Sequence, residues 1–152
     1  MAYKLNQITI RTNNSKEGMK NISDVWNDIA SGKLPIIFDS EHVFEQGISP
    51  ISKYSNYSSD EKGDYDLTIM SITTDFFSKI DEEVKKGLYK KYIEKDENGV
   101  IGVCTKKAWE KVWNDQKSGC IHRTFTEDYE SIVPSEYTKD GKAHCYLYIS
   151  IY

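Results

Sequence analysis

The residues Val25, Trp26, Asn27 and Asp28 recur as Val112, Trp113, Asn114 and Asp115, each time on the polar shoulder of an amphipathic helical pattern. In the first copy Met19, Ile22, Val25, Trp26 and Ile29 fall at three- and four-residue intervals. Cys104, Ala108, Trp109, Val112 and Trp113 do the same in the second, so each helix carries one apolar stripe. An alternating, strand-like run precedes each helix and two more follow it. Such a chain is two copies of one β-α-β-β unit, repeat one about residues 4–74 and repeat two about 86–151, within a single domain of residues 1–152.

In repeat one, Leu5, Gln7, Thr9 and Arg11 alternate with Asn6, Ile8, Ile10 and Thr12, which predicts a strand over 4–13. Asn14 and Ser15 signal a helix start, and Gly32 stops a helix over 16–31. The connection Leu34–Pro50 carries Ile36, Ile37, Phe38, Val43 and Phe44, too apolar for a solvated linker, and is expected to fold over something. Strands near 51–57 and 64–74 follow, joined by the polar turn Ser58–Gly63.

Asp75–Lys79 fits neither helix nor strand clearly, and the pattern restarts with a strand near 86–95 ended by the turn signal Asn98-Gly99. Thr105 is the expected cap of the second helix, which ends at Ser118 and Gly119; Ile121–Thr126 and Cys145–Ile151 are the last two strands. In the final strand Cys145, Leu147, Ile149 and Ile151 share one face, while His144, Tyr146, Tyr148, Ser150 and Tyr152 share the other. The fold class is therefore α+β: a pseudo-twofold tandem repeat of β-α-β-β units, antiparallel sheets with two main helices and a ligand cleft between the repeats. Clefts at such junctions are where small molecules bind.

Composition narrows the function. Net charge is −4 and no Lys/Arg-rich run appears, so no direct nucleic-acid partner is expected, because phosphate neutralisation needs clustered positive charge. The N-terminus lacks the apolar core of a signal peptide, and no stretch approaches the roughly 20 apolar residues of a membrane span, which predicts a cytoplasmic protein with no membrane partner. Three cysteines without CxxC spacing read as reduced structural thiols. Cys120, His122, His144 and Cys145 do not make a metal site, because alternation sends His144 and Cys145 to opposite faces. No cofactor, metal or catalytic residue is assigned. Eleven tyrosines give an interior that is aromatic and partly polar, suited to lining a wet pocket.

The stretch Ile51–Met70, with Tyr54, Tyr57, Asp60, Gly63, Asp64 and Tyr65, resembles the first-repeat signature of the GyrI-like, or AraC-type effector-binding, domains. Trp109, Val112 and Trp113 resemble the family's second-helix motif, Arg123, Phe125, Asp128, Tyr129 and Glu130 its arginine, aromatic, Asp-aromatic-Glu motif, and Tyr148–Ile151 its terminal strand. Ser52 and Ser71 stand where the family often has glycine, which implies a narrower cleft. The resemblance implies a stand-alone small-molecule sensor that takes hydrophobic, cationic or planar aromatic compounds into a cleft lined by tyrosine and tryptophan. In that cleft Glu130 supplies negative charge, with Trp109, Trp113, Tyr57 and Tyr148 around it. Phe38 and Phe44, by their apolarity, are lid candidates. The implied partners are the small-molecule ligand and either a second copy, as a homodimer, or a regulator. The alternatives are a hydrolase of electrophilic small molecules in which Glu130 activates water, and a protein-binding inhibitor of the DNA gyrase type.

Overall fold

Ser15 caps the first helix: its hydroxyl accepts the Gly18 backbone N–H at 3.1 Å, satisfying one of the amides that a helix start leaves unbonded. The computed structural model describes residues 7–30, 48–73, 75–133 and 140–152. Strand β1 (Gln7–Thr12) leads through that cap into α1 (Lys16–Ala30), followed by β2 (Ile48–Ser55) and β3 (Tyr65–Thr73). Then come α2 (Asp75–Lys85), β4 (Tyr89–Asp96), α3 (Ile101–Ser118), β5 (Glu127–Val133) and β6 (Ala143–Ser150). The chain is α+β and divides into two compact units, Met1–Phe76 and Phe77–Tyr152.

Within the first unit β3 pairs antiparallel with both β1 and β2; within the second, β6 pairs antiparallel with both β4 and β5. Both units thus run β-α-β-β with the last strand in the middle. The first core is Tyr65, Leu67 and Ile69 of β3, packed by Ile8 and Ile10 of β1 and by Ile22, Val25 and Trp26 of α1. The register sets Ile8 across from Ile69 and Ile10 across from Leu67, so all four point to one face. In the second core Cys104, Ala108 and Val112 of α3, four residues apart, meet Cys145, Leu147 and Ile149 of β6, two residues apart. All six are completely buried, so the apolar face expected of the last strand meets its helix.

Several expectations are corrected. Met19 and Trp113 were placed on the apolar stripes but are 49% and 42% exposed, because each core takes a stripe narrower than the full apolar pattern. Residues 75–85 are a helix: Ile80 is buried on its inner side, and left-handed Gly87 (φ 79°) follows it. The helix α3 starts four residues before Thr105. Asp96 Oδ2 accepts the Val100 N–H at 2.8 Å, and Val100, in extended conformation, is the boundary residue. The predicted end holds, with Gly119 at φ 79° and its N–H on the carbonyls of Asp115 and Gln116. Ile121–Thr126 is not a strand. Of the long first connection, residues 31–47, with Phe38 and Phe44, lie outside the described residues. Among the described residues, no helix is long and apolar enough to cross a membrane.

The second core predicts a sharp contrast in chemical denaturation. Leu147→Ala empties a fully buried site and costs about 2–5 kcal/mol, whereas Ile93→Ala, at an exposed position of β4, changes stability by about 0.5 kcal/mol or less.

Candidate ligand-binding site

The helix α3 lies over one face of β4, β6 and β5, and its two flanks reach different strands. On one flank Lys111 pairs with Glu94, and Asp115 accepts the Tyr92 hydroxyl at 2.8 Å, both partners on β4. On the other flank Trp109 reaches β5: its Nε1 donates to Glu130 Oε2 at 3.2 Å. The β5–β6 register sets Glu130 across from Leu147, so the carboxylate shares the face that α3 covers, and Glu130 is 5% exposed. Burial, and after it the charge of Glu130, pushes the Cys145 thiol up. Trp113, one turn beyond Trp109, keeps its ring 6.1 Å from the Trp109 ring at a 31° tilt and open to solvent.

Beside this pair Arg123 is locked by groups from three segments. Its Nη2 donates to Asp128 Oδ2 at 2.8 Å and its Nη1 to Gln116 Oε1 of α3 at 3.3 Å. The guanidinium carbon stands 4.4 Å from the Phe125 ring centre and 5.9 Å from that of Trp109, both within cation-π range. Asp128 Oδ1 in turn accepts the backbone N–H and the hydroxyl of Ser150. A break in the ladder makes this possible. Tyr129 is paired with Tyr148, which would carry Thr126 to Ile151, yet Arg123 is the residue bridged to Ile151. The intervening residues bulge out, with Phe125 at φ 54°, a left-handed conformation that a bulky residue adopts only when its surroundings enforce it. This bulge is why the expected strand over 121–126 is absent.

The opposite face of the same three strands is also aromatic but differently charged. Lys91 Nζ is bonded to Asp81 of α2 at 3.1 Å and lies 5.8 Å from the Tyr146 ring centre and 5.4 Å from that of Tyr148. The Tyr129 hydroxyl donates to Glu127 at 2.9 Å, and the Tyr89 ring is 6.2 Å from that of Tyr129. Burial raises the Tyr129 hydroxyl, reinforced by its bond to Glu127; burial and the charges of Glu127, Asp128 and Glu83 push Tyr89 up to about 12. At the start of β6, the bonds from His144 and from the Lys142 backbone N–H hold the Asp140 carboxyl well below the usual carboxylate range.

The residues singled out from the sequence are thus divided. Glu130, Trp109 and Trp113 come together on the α3 side. Tyr148, 2% exposed, belongs to the opposite face, across from Tyr129 rather than Glu130. Tyr57 is half-buried in the first unit, 5.8 Å from the Tyr65 ring, and Phe38 lies outside the described residues. Sequence reasoning did not show that Arg123 forms its ion pair with Asp128. It also missed the cluster of Lys91, Asp81 and Tyr146. Alternation along β4 and β6 would have shown Lys91 and Tyr146 facing one way, but not that they meet.

No protein-family model and no curated protein matches the chain. Among solved structures, an integron cassette protein from the mobile metagenome of Vibrio cholerae resembles it with a TM-score of 0.63, over 97% of this chain and 89% of that one, at 16% identity. At that identity the likeness is one of fold.

Two outcomes follow from this geometry. Asp128→Asn leaves Arg123 buried without its counter-charge and lowers stability by about 3 kcal/mol in chemical denaturation, as for other buried pairs that lose one member. In alkaline titration Tyr89 and Tyr129 hold their protons more tightly folded than unfolded. Their contribution is therefore complete below the ordinary tyrosine range near pH 10 and is lost as pH rises above it. Tyrosinate absorbance and loss of circular dichroism are expected to rise together in that window.

Proposed function

We propose that the protein is a cytoplasmic effector-binding protein that takes a hydrophobic, cationic or planar aromatic small molecule against Trp109 and Trp113, with Glu130 meeting its charge. The observation that carries this reading is the hydrogen bond from Trp109 Nε1 to Glu130 Oε2, which fixes a buried carboxylate at the edge of an aromatic pair. A carboxylate in a low-dielectric setting attracts a cation more strongly than one in water. Each well-placed ring adds about 0.5–2 kcal/mol. The Trp109 ring already hosts one cation, the Arg123 guanidinium, and the exposed Trp113 ring offers a surface on which a flat molecule can stack. Because the tryptophan N–H holds the carboxylate in place, little ordering remains to be done when ligand arrives. The GyrI-like resemblance of the motifs around Trp109, Arg123 and Glu130 supports the same reading and suggests a role in transcription regulation or drug sensing.

Titration with ethidium, a planar monocation, followed by tryptophan quenching, tests it. We expect micromolar affinity in the native protein and a Kd at least tenfold weaker in Glu130→Gln, a loss of about 1.4 kcal/mol, with circular dichroism unchanged. No quenching in the native protein, or an equal Kd in the variant, refutes the reading.

A further inference from the structure

We propose that Asp140, His144 and Tyr146 form a second, chemically active site, in which the Tyr146 hydroxyl is the nucleophile toward activated carboxylic esters of phenols. The three side chains make one continuous hydrogen-bonded chain. The Tyr146 hydroxyl lies 2.9 Å from His144 Nδ1, and His144 Nε2 lies 2.8 Å and 3.0 Å from the two Asp140 oxygens. His144 and Tyr146 are two apart on β6 and so share the face opposite Leu147, while Asp140 sits in the turn just before the strand. Asp140 is itself held, by the Lys142 backbone N–H at 3.0 Å and by Lys95 Nζ at 3.3 Å.

In the neutral imidazole the Asp140 carboxylate, which only accepts when ionised, takes the Nε2–H, and the Nδ1 lone pair is left to the Tyr146 O–H. This is the order of roles in a nucleophile, base and orienting-acid triad, with a phenol in place of an alcohol. As Tyr146 Oη bonds to the acyl carbon, its proton passes to His144 Nδ1, and the imidazolium so formed is stabilised by Asp140. The aryl oxide then leaves and takes that proton. Water, giving its proton to His144, cleaves the acyl-tyrosine to the carboxylic acid and restores the phenol. The surroundings suit the charge that develops. Lys91 brings a positive charge to the Tyr146 ring. Ser131, directly across the ladder from Tyr146, is buried with a hydroxyl that has no hydrogen-bond partner among the described residues. Tyr146 and His144 remain partly accessible. Glu130 faces the other way, so this chemistry is independent of the proposed ligand contact.

The test is p-nitrophenyl acetate, with release of p-nitrophenol followed over time and the acetyl group located by tandem mass spectrometry. We expect a burst of one equivalent, acetyl on Tyr146, no burst in Tyr146→Phe, and a burst about 100-fold slower in His144→Gln, the scale of a lost general base. Asp140 acts through His144 as a positioning residue. In Asp140→Asn we expect the burst to slow and nitrogen-15 spectra of the imidazole to lose the single Nε2–H tautomer, a change that mere loosening of the turn does not produce. His122→Gln, at an exposed imidazole outside this hydrogen-bonded chain, should retain the full burst. Acetylation confined to lysines, or equal rates in the native protein and folded His144→Gln, would overturn the proposal, and the second outcome does so even where Tyr146→Phe does not fold.

Discussion

The contact of α3 with β6 is the constraint on which the second unit depends. Cys104, Ala108 and Val112 form a stripe of small side chains, and their size brings the helix down onto Cys145, Leu147 and Ile149 until nothing of either is left exposed. Helix and central strand then have one mutual orientation, because interiors packed to this density do not slide. Trp109, next to Ala108 in sequence, is carried to the β5 flank, while Lys111 and Asp115 are carried to the β4 flank. The position of the Trp109 indole over Glu130 is thus a consequence of an apolar stripe that contains neither residue.

Buried charged groups beside α3 are linked to one another in a chain. Arg123, Asp128 and Ser150 are all buried, and each is bonded to the next. Burying an isolated guanidinium or carboxylate would be prohibitive, whereas a linked set is tolerable and specifies one arrangement. The left-handed Phe125 belongs to the same economy: its strain is retained because the bulge places the ring on the Arg123 guanidinium and lets Arg123 take the bridge to Ile151. The two faces of β5 and β6 consequently have different characters, one with a carboxylate held by tryptophan, the other with a lysine among tyrosines and a histidine held between an acid and a phenol.

Much of this was legible beforehand, and the reasons are local. The helix-period stripes located α1 and α3, Ser15 announced the first cap, Gly119 the end of α3, and the two-residue alternation in Cys145–Ile151 told which side of β6 meets a helix. Those signals arise from side chains close in sequence. The misses share the opposite origin. Thr105 looked like a cap because it is a hydroxyl residue ahead of an apolar run, but the helix starts at Ile101, after Val100, whose N–H is held by Asp96 outside the pattern. Ile121–Thr126 alternates like a strand, yet Ile121 is drawn into the α3–β6 core and the backbone turns left-handed at Phe125. Phe76, Phe77 and Ile80 carried a helical stripe too short to be decisive.

Of the candidate site, the sequence determined a tryptophan pair four apart on a helix and tyrosines alternating along the last strand, but not the strand that carries Glu130, which lies beyond the expected one at 121–126. Which of them meet was decided only in three dimensions. Whether Glu130 shares a face with Tyr148 or with Leu147 depends on the register of β5 against β6, and a shift of one residue would exchange the two. That register follows from hydrogen bonds and packing between segments distant in sequence, which no local pattern encodes. For the same reason the chain from Asp140 through His144 to Tyr146 could be seen beforehand only as residues on a shared face, not as a hydrogen-bonded line.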